Sequence, residues 1–466
     1  MATNTRIVIA ATKDKGNVHA QNVLQVTADK VSELLMKNHE QFHTYFFASA
    51  LHNHIVHHLL ALYALGATPD EVQKGYDVNS TYQTPAIVRS AQVSQKLNDP
   101  EQFKNRMGQG EFYDDFMKFF SEELAANGVQ DTVNKFIFRG DDLADDMLAR
   151  LFGGFLHPII HLGYALEFDQ PVLVAEALAS TAVHDSWPSV VFLPAEKLAH
   201  QRERQPGITL VSLLGRLRED PVVSTAVRSD DPPNKVTGGL LPRAGDRLAE
   251  YLSAFTVAPD ELQRKTAEMI NAAIYTAACA QRPGKMEMFD FFLMHSVNTS
   301  IFVPVINQQE WISAANKCRL LERKARLDLA LYAACRTPKL YPERVFQYQA
   351  KTPGDWESIF RRATSYQDDG HTSKLIRALK NGEEVTRPYA GAPGFQIPPE
   401  AFLTIAHMVM DSVERMDEPD YKFPKALSYF RDMNEQVIRV TLRWIRWCGL
   451  DEAWDDVPAL PGNAML

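Results

Sequence analysis

Residues 52–66 read HNHIVHHLLALYALG, and this stretch decides the fold class. Its apolar residues recur three and four positions apart, which predicts a helix, and Gly66 is typical of the residue that follows a helix. Just beyond it, Thr68-Pro69-Asp70-Glu71 combines an N-cap residue, a proline in the first turn and a glutamate at the third position. A second helix therefore follows the first with no strand between them, which favours an all-α fold.

The same helical period continues through most of the chain, and alternating strand-like runs are almost absent. The predicted architecture is one large multi-helix domain over residues 1–466, with long irregular loops and negligible β-structure. The segment around 205–246 is rich in proline and glycine, so we expect a long loop there, either a surface excursion or a lid. Two helical lobes divided near this loop are the alternative.

Charge and composition exclude several classes of partner. The 466 residues carry a net charge of −9 without a basic run, which argues against nucleic acid. No apolar stretch reaches the roughly 18 residues of a membrane span, and no signal peptide is recognisable. We therefore expect no membrane contact and a cytoplasmic location. The four cysteines form no C-x-x-C pair, which predicts buried free thiols.

The histidines carry the functional signal, since six of the 14 lie between His39 and His58. His54 and His58 are four residues apart, and His157 and His161 repeat that spacing, so each pair shares an apolar helix face. A buried imidazole must be hydrogen-bonded or bound to a metal. One pair alone is as consistent with satisfied core histidines, but two pairs favour a shared metal site. His295, alone in an apolar segment, is either structural or a distant further ligand.

Other segments are less decisive. Residues 368–374 read DDGHTSK, and their spacing alone favours a solvated helix start with a salt-bridged Lys374. The sequence has no G-x-G-x-x-G after a strand, no P-loop, no G-x-S-x-G and no H-E-x-x-H. These absences argue against a Rossmann domain for flavin or nicotinamide and against the corresponding hydrolases.

At these residues the chain resembles the questin oxidase-like family of fungal secondary metabolism. The resemblance is carried by residues 52–67, by 157–168 (HPIIHLGYALEF), by Leu293-Met294-His295 and by 368–379 (DDGHTSKLIRAL). It is similar in particular to the family's non-haem iron, anthraquinone ring-cleaving dioxygenases of beticolin-type pathways. The resemblance implies that dioxygen is used to open the central ring of an anthraquinone polyketide, which gives a benzophenone-type product.

The resemblance also implies a ligand set for Fe²⁺. Carried onto this sequence, the metal ligands are His58, His157, His161, His295 and Lys374. His54 and His57 are alternatives to His58. Lys374 would be carboxylated on its side-chain nitrogen by carbon dioxide, which supplies the anionic oxygen that four neutral imidazoles lack. Glu167, Asp368 and Asp369 are rival anions, and His371 is the expected catalytic acid/base.

The expected partners are a small aromatic polyketide, an anthraquinone or anthrahydroquinone, and dioxygen. NADPH is expected only indirectly, as reductant of the substrate through a partner reductase. Five aromatic residues either line a flat pocket or belong to the ordinary core, namely Tyr45, Phe46, Phe155, Tyr164 and Phe292. Three other functions stay open: a Baeyer–Villiger-type NADPH-linked oxidase of the same substrates, a helical metal-dependent phosphohydrolase built on His184-Asp185, and a non-catalytic helical scaffold.

Overall fold

The computed structural model describes residues 1–46, 51–86, 96–205, 207–418 and 442–460. Within these ranges the only strands are a short antiparallel pair, β1 (Tyr45–Phe46) and β2 (Leu51–His52). The remaining regular structure is helical, so the prediction of an all-α fold with negligible β-structure is confirmed. No helix in the described ranges combines the length and apolar character needed to cross a membrane.

The α-helices are numbered in chain order. They are α1 (Gln25–Gln41), α2 (Ile55–Ala64), α3 (Pro69–Ser80), α4 (Pro100–Lys104), α5 (Tyr113–Val133), α6 (Asp142–Arg150), α7 (Gly153–Glu167), α8 (Pro171–Val183), α9 (Ser189–Gln201), α10 (Leu210–Glu219), α11 (Pro221–Ser224), α12 (Leu241–Leu252), α13 (Leu262–Cys279), α14 (Phe291–Ser300), α15 (Phe302–Asn307), α16 (Ala314–Ala334), α17 (Glu343–Phe346), α18 (Trp356–Ser365), α19 (His371–Thr386) and α20 (Ala401–Glu414).

The chain packs as two compact units, each assembled from three segments. The first comprises residues 1–189, 302–316 and 360–377, and the second comprises 190–301, 317–359 and 378–466. Neither unit is a continuous stretch of chain, so the single domain over 1–466 stays a prediction. The four cysteines are buried and free, which confirms the expectation for the thiols.

The helix start predicted at Thr68 is confirmed in atomic detail. The Thr68 hydroxyl accepts a hydrogen bond from the Glu71 backbone N–H, and the Glu71 carboxylate accepts one from the Thr68 N–H at 2.8 Å. Gly66 has a φ of +86°, which a side chain would strain. Every residue of α2 is buried, so the apolar helix of the opening stretch lies inside the first unit.

The prediction of a long irregular loop around residues 205–246 is wrong. That segment contains α10, α11, a π-type turn over Val236–Leu240 and the start of α12. Pro221 and Pro242 stand in first turns, where a helix does not need the N–H that proline lacks. Thr209 and Asp220 accept hydrogen bonds from the backbone N–H groups of the turns that follow them. Pro221 and Pro242 therefore mark helix starts rather than a loop.

In the second unit, Glu196 on α9 joins two arginines of α16. Arg323 donates to Glu196 Oε1 at 2.7 Å, and Arg319 donates to Oε2 at 3.1 Å. Burial of Glu196 would raise the pKa of its carboxyl, but the hydrogen bonds and charges of the arginines lower that pKa to about 2. The ion pair thus stabilises the unit wherever Glu196 is ionised.

We expect the free energy of unfolding to fall as the pH drops from 4.5 towards about 2. A carboxyl with a lowered folded-state pKa stabilises the fold above its unfolded pKa, and this contribution is lost as the pH falls through the folded-state pKa. Glu196→Gln should cost up to about 3 kcal/mol at neutral pH and less in acid. Denaturant titrations at several pH values measure this, with the exposed Glu400→Gln as control. An equal loss at every pH would contradict the assignment.

Candidate metal centre

Three buried histidines from separate elements meet within the first unit. His54 lies just ahead of α2, His157 is on α7 and His371 begins α19. One ring nitrogen of each lies within 4.8 Å of those of the other two. His54 Nε2 is 2.8 Å from His157 Nε2, and the two rings are parallel to within 3°. We call these three residues the histidine trio.

The donor atoms of the trio fit a divalent transition metal. Two imidazole nitrogens that bind one ion at about 2.1 Å and at right angles lie about 3 Å apart. The separation between His54 and His157 is close to that value. Imidazole nitrogen is also a common ligand of iron, zinc, copper and nickel. The trio therefore has the chemistry and the spacing of a metal site.

Asp369 orients two of these rings. The His371 Nδ1 lies 2.6 Å from Asp369 Oδ1, and the His54 Nδ1 lies 3.1 Å from the Asp369 backbone oxygen. The His157 Nδ1 lies 2.6 Å from the Gly154 carbonyl oxygen. A proton on each Nδ1 leaves Nε2 as the atom that each ring offers, which is the usual arrangement of metal-binding histidines. The sequence predicts Asp369 as a rival metal ligand and does not predict this orienting role.

The two neighbouring aspartates have opposite electrostatics. Burial would raise the pKa of Asp369, but the charge and hydrogen bond of His371, with those of His54, hold it well below its usual range. Burial and the charge of Asp369 raise the pKa of Asp368 to about 6. Asp368 accepts hydrogen bonds from the Gly370 and Thr372 N–H groups and from the Thr372 hydroxyl. Asp368, which the sequence offers as a rival metal ligand, thus stabilises the start of α19 by accepting these hydrogen bonds.

The expectation that Lys374 is solvated and salt-bridged is wrong. Its side chain is 2% exposed, and its Nζ has no hydrogen-bond partner among the described residues. Burial lowers the pKa of Lys374 to about 8, although the charges of Asp369 and Asp368 oppose that shift. Its positive charge also lowers the pKa values of His54, His57, His58 and His371, so the amine lies near all four rings.

His58 is not a member of the trio, and its ring packs against other residues. Its Nδ1 lies 3.2 Å from the Ser373 hydroxyl oxygen. Its Nε2 has no hydrogen-bond partner among the described residues, and a Cβ placed on Gly75 would lie 2.9 Å from it. Gly370 closes the other side of the ring, because a Cβ there would lie 2.6 Å from His58 Cβ. His58 therefore fills a gap between two glycines.

His161 belongs to a chain of hydrogen bonds beside the trio. Its Nδ1 lies 3.1 Å from His57 Nε2, and its Nε2 lies 2.9 Å from Glu176 Oε2. Glu176 Oε1 in turn lies 2.7 Å from His39 Nδ1. Burial would raise the pKa of Glu176, but hydrogen bonds and charges of His161 and His39 lower it to about 2. Glu176 is a lone acid in an apolar helix sequence, a signal that sequence reasoning did not use.

The break in α7 sets the position of His157. The left-handed residues of this break are Gly154, Phe155 and Leu156, with φ values of 50°, 51° and 75°. Pro158 thus follows the break and lies in the first regular turn, where its missing N–H costs little. The break also brings the ring of His157 parallel to His52, with centroids 3.9 Å apart.

His52 and His184 form a further imidazole pair in the same unit. Their Nε2 atoms are 2.8 Å apart, and a Cβ on Gly154 would lie 2.7 Å from His52 Nε2. Asp185, the second half of the His184-Asp185 doublet, is exposed. Of this doublet, His184 therefore lies against His52, and Asp185 lies at the surface.

His295 lies in the second unit, on α14, and the trio lies in the first. Its side chain is fully buried, its Nδ1 lies 2.6 Å from the Phe291 carbonyl oxygen, and its ring packs on Phe291 at 4.3 Å. Phe292, one of the candidate pocket residues, stacks on Trp447 at 3.7 Å in the same unit. The structure thus assigns both residues well-packed surroundings on α14.

The other candidate pocket residues divide between the site and its surroundings. The Tyr164 ring is nearly parallel to that of His57 with centroids 5.5 Å apart, and Tyr45 meets His184 edge-on at 4.8 Å. Phe155 is half-buried and lies beside Trp187. The side chain of Phe46 lies outside the described residues. Tyr164 and Tyr45 therefore contact histidines of this unit.

Known proteins match this chain along nearly its whole length. Residues 51–379 match a family model described as questin oxidase-like. The chain is 45% identical to oxidoreductase AflY of Aspergillus parasiticus, over 98% of this chain and 94% of that protein. It is 38% identical to Baeyer–Villiger oxidase ptaJ of Pestalotiopsis fici, over 93% and 94%. It is 34% identical to questin oxidase of Aspergillus terreus, over 99% of both.

The three names agree with the predicted enzyme class, an oxidoreductase. The matched range also contains all three residues of the histidine trio together with Lys374. The resemblance that the four sequence motifs carry is thereby confirmed, and the chain belongs to the questin oxidase-like family.

Proposed function

We propose that this protein is a non-haem iron-dependent oxygenase that uses dioxygen to cleave a C–C bond in the central ring of a reduced anthraquinone, with a benzophenone-type product, in fungal secondary metabolism. The observation that carries the proposal is the buried histidine trio beside the Lys374 amine, which has no hydrogen-bond partner in the part of the chain that the structure describes. The relatives named questin oxidase and Baeyer–Villiger oxidase support oxidation with oxygen insertion beside a carbonyl.

The proposed reaction balances without a further oxidant. A reduced anthraquinone and one dioxygen together contain the atoms of a hydroxybenzophenone carboxylic acid. The bond between one central-ring carbon and its aryl neighbour breaks, one oxygen becomes part of the new carboxyl group, and the other becomes the new phenol. Electrons come from the reduced ring, so NADPH is needed only earlier, to reduce the quinone.

In the proposed centre, Fe²⁺ would be held by His54, His157 and His371, and Lys374 would be an anionic ligand once carboxylated. Bound iron would act as a Lewis acid for a substrate oxygen and would bring dioxygen beside the ring. The set implied by the resemblance, His58, His157, His161, His295 and Lys374, is the competing assignment. His371 is a ligand in the first set and an acid/base in the second.

The chain's own residues prepare this centre. Asp369 accepts from His371 and His54, which keeps their Nε2 atoms unprotonated. Burial of the trio excludes water, so charges inside the site act through a low dielectric. Burial also favours the neutral amine of Lys374, and a neutral amine is the form that adds to carbon dioxide.

Labelled dioxygen tests the proposed reaction. Iron-loaded protein is mixed with a chemically reduced anthraquinone under ¹⁸O₂, and the ring-opened product is analysed by mass spectrometry. The proposal predicts two labelled oxygens. A single label, with the second oxygen from water, would instead indicate a Baeyer–Villiger lactone that is then hydrolysed. A ring-opened product without label would remove the oxygenase.

Carboxylation of Lys374 has its own test. Protein loaded with diamagnetic zinc and ¹³C-bicarbonate should show about one carbamate carbon per chain in its NMR spectrum, because burial lowers the pKa of this amine and so makes its reactive neutral form more accessible. Lys374→Met should lose that signal. Lys380→Met, further along α19, should keep it. A wild-type spectrum without the signal would contradict the carbamate.

A further inference from the structure

Glu176 is the only charged residue in the sequence of α8, PVLVAEALASTAV, and the reaction proposed above leaves it without a role. Residues 172–183 of this helix are all buried, and Glu176 itself is 2% exposed. A carboxylate in such surroundings costs several kcal/mol unless it is paired and hydrogen-bonded. Its partners should therefore explain why it is there.

Its two hydrogen-bond partners among the described residues are histidines, one on each carboxylate oxygen. His161 Nε2 lies 2.9 Å from Oε2, and His39 Nδ1 lies 2.7 Å from Oε1. An ionised carboxylate has no proton and can only accept hydrogen bonds. Both histidine nitrogens must therefore carry a proton, so Glu176 fixes the tautomer of a neutral His161 as the Nε2–H form.

This tautomer passes along the chain to His57. With its proton on Nε2, His161 has a lone pair on Nδ1, which lies 3.1 Å from His57 Nε2. The His57 nitrogen must then donate, which leaves a neutral His57 without a proton on Nδ1. That Nδ1 is buried and has no hydrogen-bond partner among the described residues.

His57 lies beside the histidine trio. Its ring centroid is 6.0 Å from that of His54 and 6.5 Å from that of His157. An unprotonated nitrogen without a partner at this place can accept a hydrogen bond from a donor on a bound ligand. A phenolic hydroxyl of a reduced anthraquinone is a donor of that kind.

We propose that Glu176 is a positioning residue that fixes the tautomers of His161 and His57, so that His57 presents an unprotonated Nδ1 that accepts a hydrogen bond from a substrate hydroxyl. The identity of that donor rests on the proposed function. The tautomers themselves do not, because they follow from the hydrogen bonds of the first unit alone.

Neutron diffraction from crystals of the full-length protein, with exchangeable hydrogens replaced by deuterium, tests the tautomers without any variant. We expect deuterium at Nε2 of both His161 and His57, and none at His57 Nδ1. Deuterium at His57 Nδ1, or at both nitrogens of His161, would overturn the proposal. This result does not depend on turnover, so it stands apart from the failure or success of the oxygenase.

Glu176→Leu tests the role, and His39→Leu is the matched control that leaves the contact between Glu176 and His161 in place. In Glu176→Leu we expect the proton to appear at His57 Nδ1 and kcat with a reduced anthraquinone to fall about 10- to 100-fold, with iron content unchanged. The control should keep kcat within about twofold. Loss of iron with kcat would instead mean that Glu176 serves metal binding, and an unchanged kcat would mean that the tautomer is not used. Either result overturns the role.

Discussion

Replacing His157 by alanine should remove the iron from the purified protein. About one iron per chain is expected in the wild type and less than about a tenth of that in the variant, because His157 belongs to both candidate ligand sets. Elemental analysis of protein prepared without a His-tag and without chelator measures this. Circular dichroism checks that the variant is folded. Full iron retention in a folded His157→Ala protein would contradict both ligand sets.

Elemental analysis of iron also distinguishes the two candidate ligand sets. His54→Ala and His371→Ala should lose iron if the trio holds the metal, whereas His58→Ala and His161→Ala should retain it. The structural reason is that His58 faces Ser373 and Gly75, and that both ring nitrogens of His161 already have partners. The reverse pattern would favour the set implied by the resemblance. Zinc in place of iron would shift weight towards a hydrolase.

The sequence alone predicts some elements of this site because their signals are local. The spacing of the apolar residues in α2 and the capping pair Thr68 and Glu71 act within one or two turns, and both are confirmed. The paired spacing of His157 and His161 correctly marks a buried histidine cluster. These patterns depend on neighbours three or four residues away, which is the range that periodicity describes.

Other features depend on contacts that no local pattern contains. His54 and Asp369 are 315 residues apart in the chain, and Glu176 is 137 residues from His39. In the sequence, Asp369 therefore looks like an ordinary charged residue, and Glu176 looks like an isolated acid. The segment around 205–246 shows the opposite error. Its overall proline and glycine content predicts a loop, whereas Pro221 and Pro242 stand in the first turns of helices.

The second large effect is expected at Glu167, and it concerns the free energy of unfolding. Its carboxylate accepts from Arg377 at 2.6 Å and from the Asn17 backbone N–H at 2.8 Å, and the Arg377 guanidinium also donates to the Val18 carbonyl. The side chains of Glu167 and Arg377 are fully buried. This rival anion is thus committed to a structural pair that joins the N-terminal segment, the end of α7 and α19.

Glu167→Ala should lower the free energy of unfolding by about 3–5 kcal/mol, because it leaves the Arg377 charge buried without its partner. The midpoint of urea unfolding measures this. Lys13→Met, which removes an exposed ion pair with Asp169, should cost less than about 1 kcal/mol. The double variant Glu167→Leu with Arg377→Met should regain much of the loss, since a buried pair often costs as much in desolvation as it gains.

The Glu167–Arg377 pair lies on the same two helices as residues of the proposed iron centre, so it should affect both fold stability and iron binding. Arg377 lies one turn beyond Lys374 on α19, and Glu167 ends α7, the helix that carries His157. Loosening this connection should let two elements of the site move apart, so Glu167→Ala should also bind iron more weakly at temperatures where it remains folded. An iron content equal to that of the wild type, measured alongside the lowered urea midpoint, would show that the pair supports the fold without positioning the ligands.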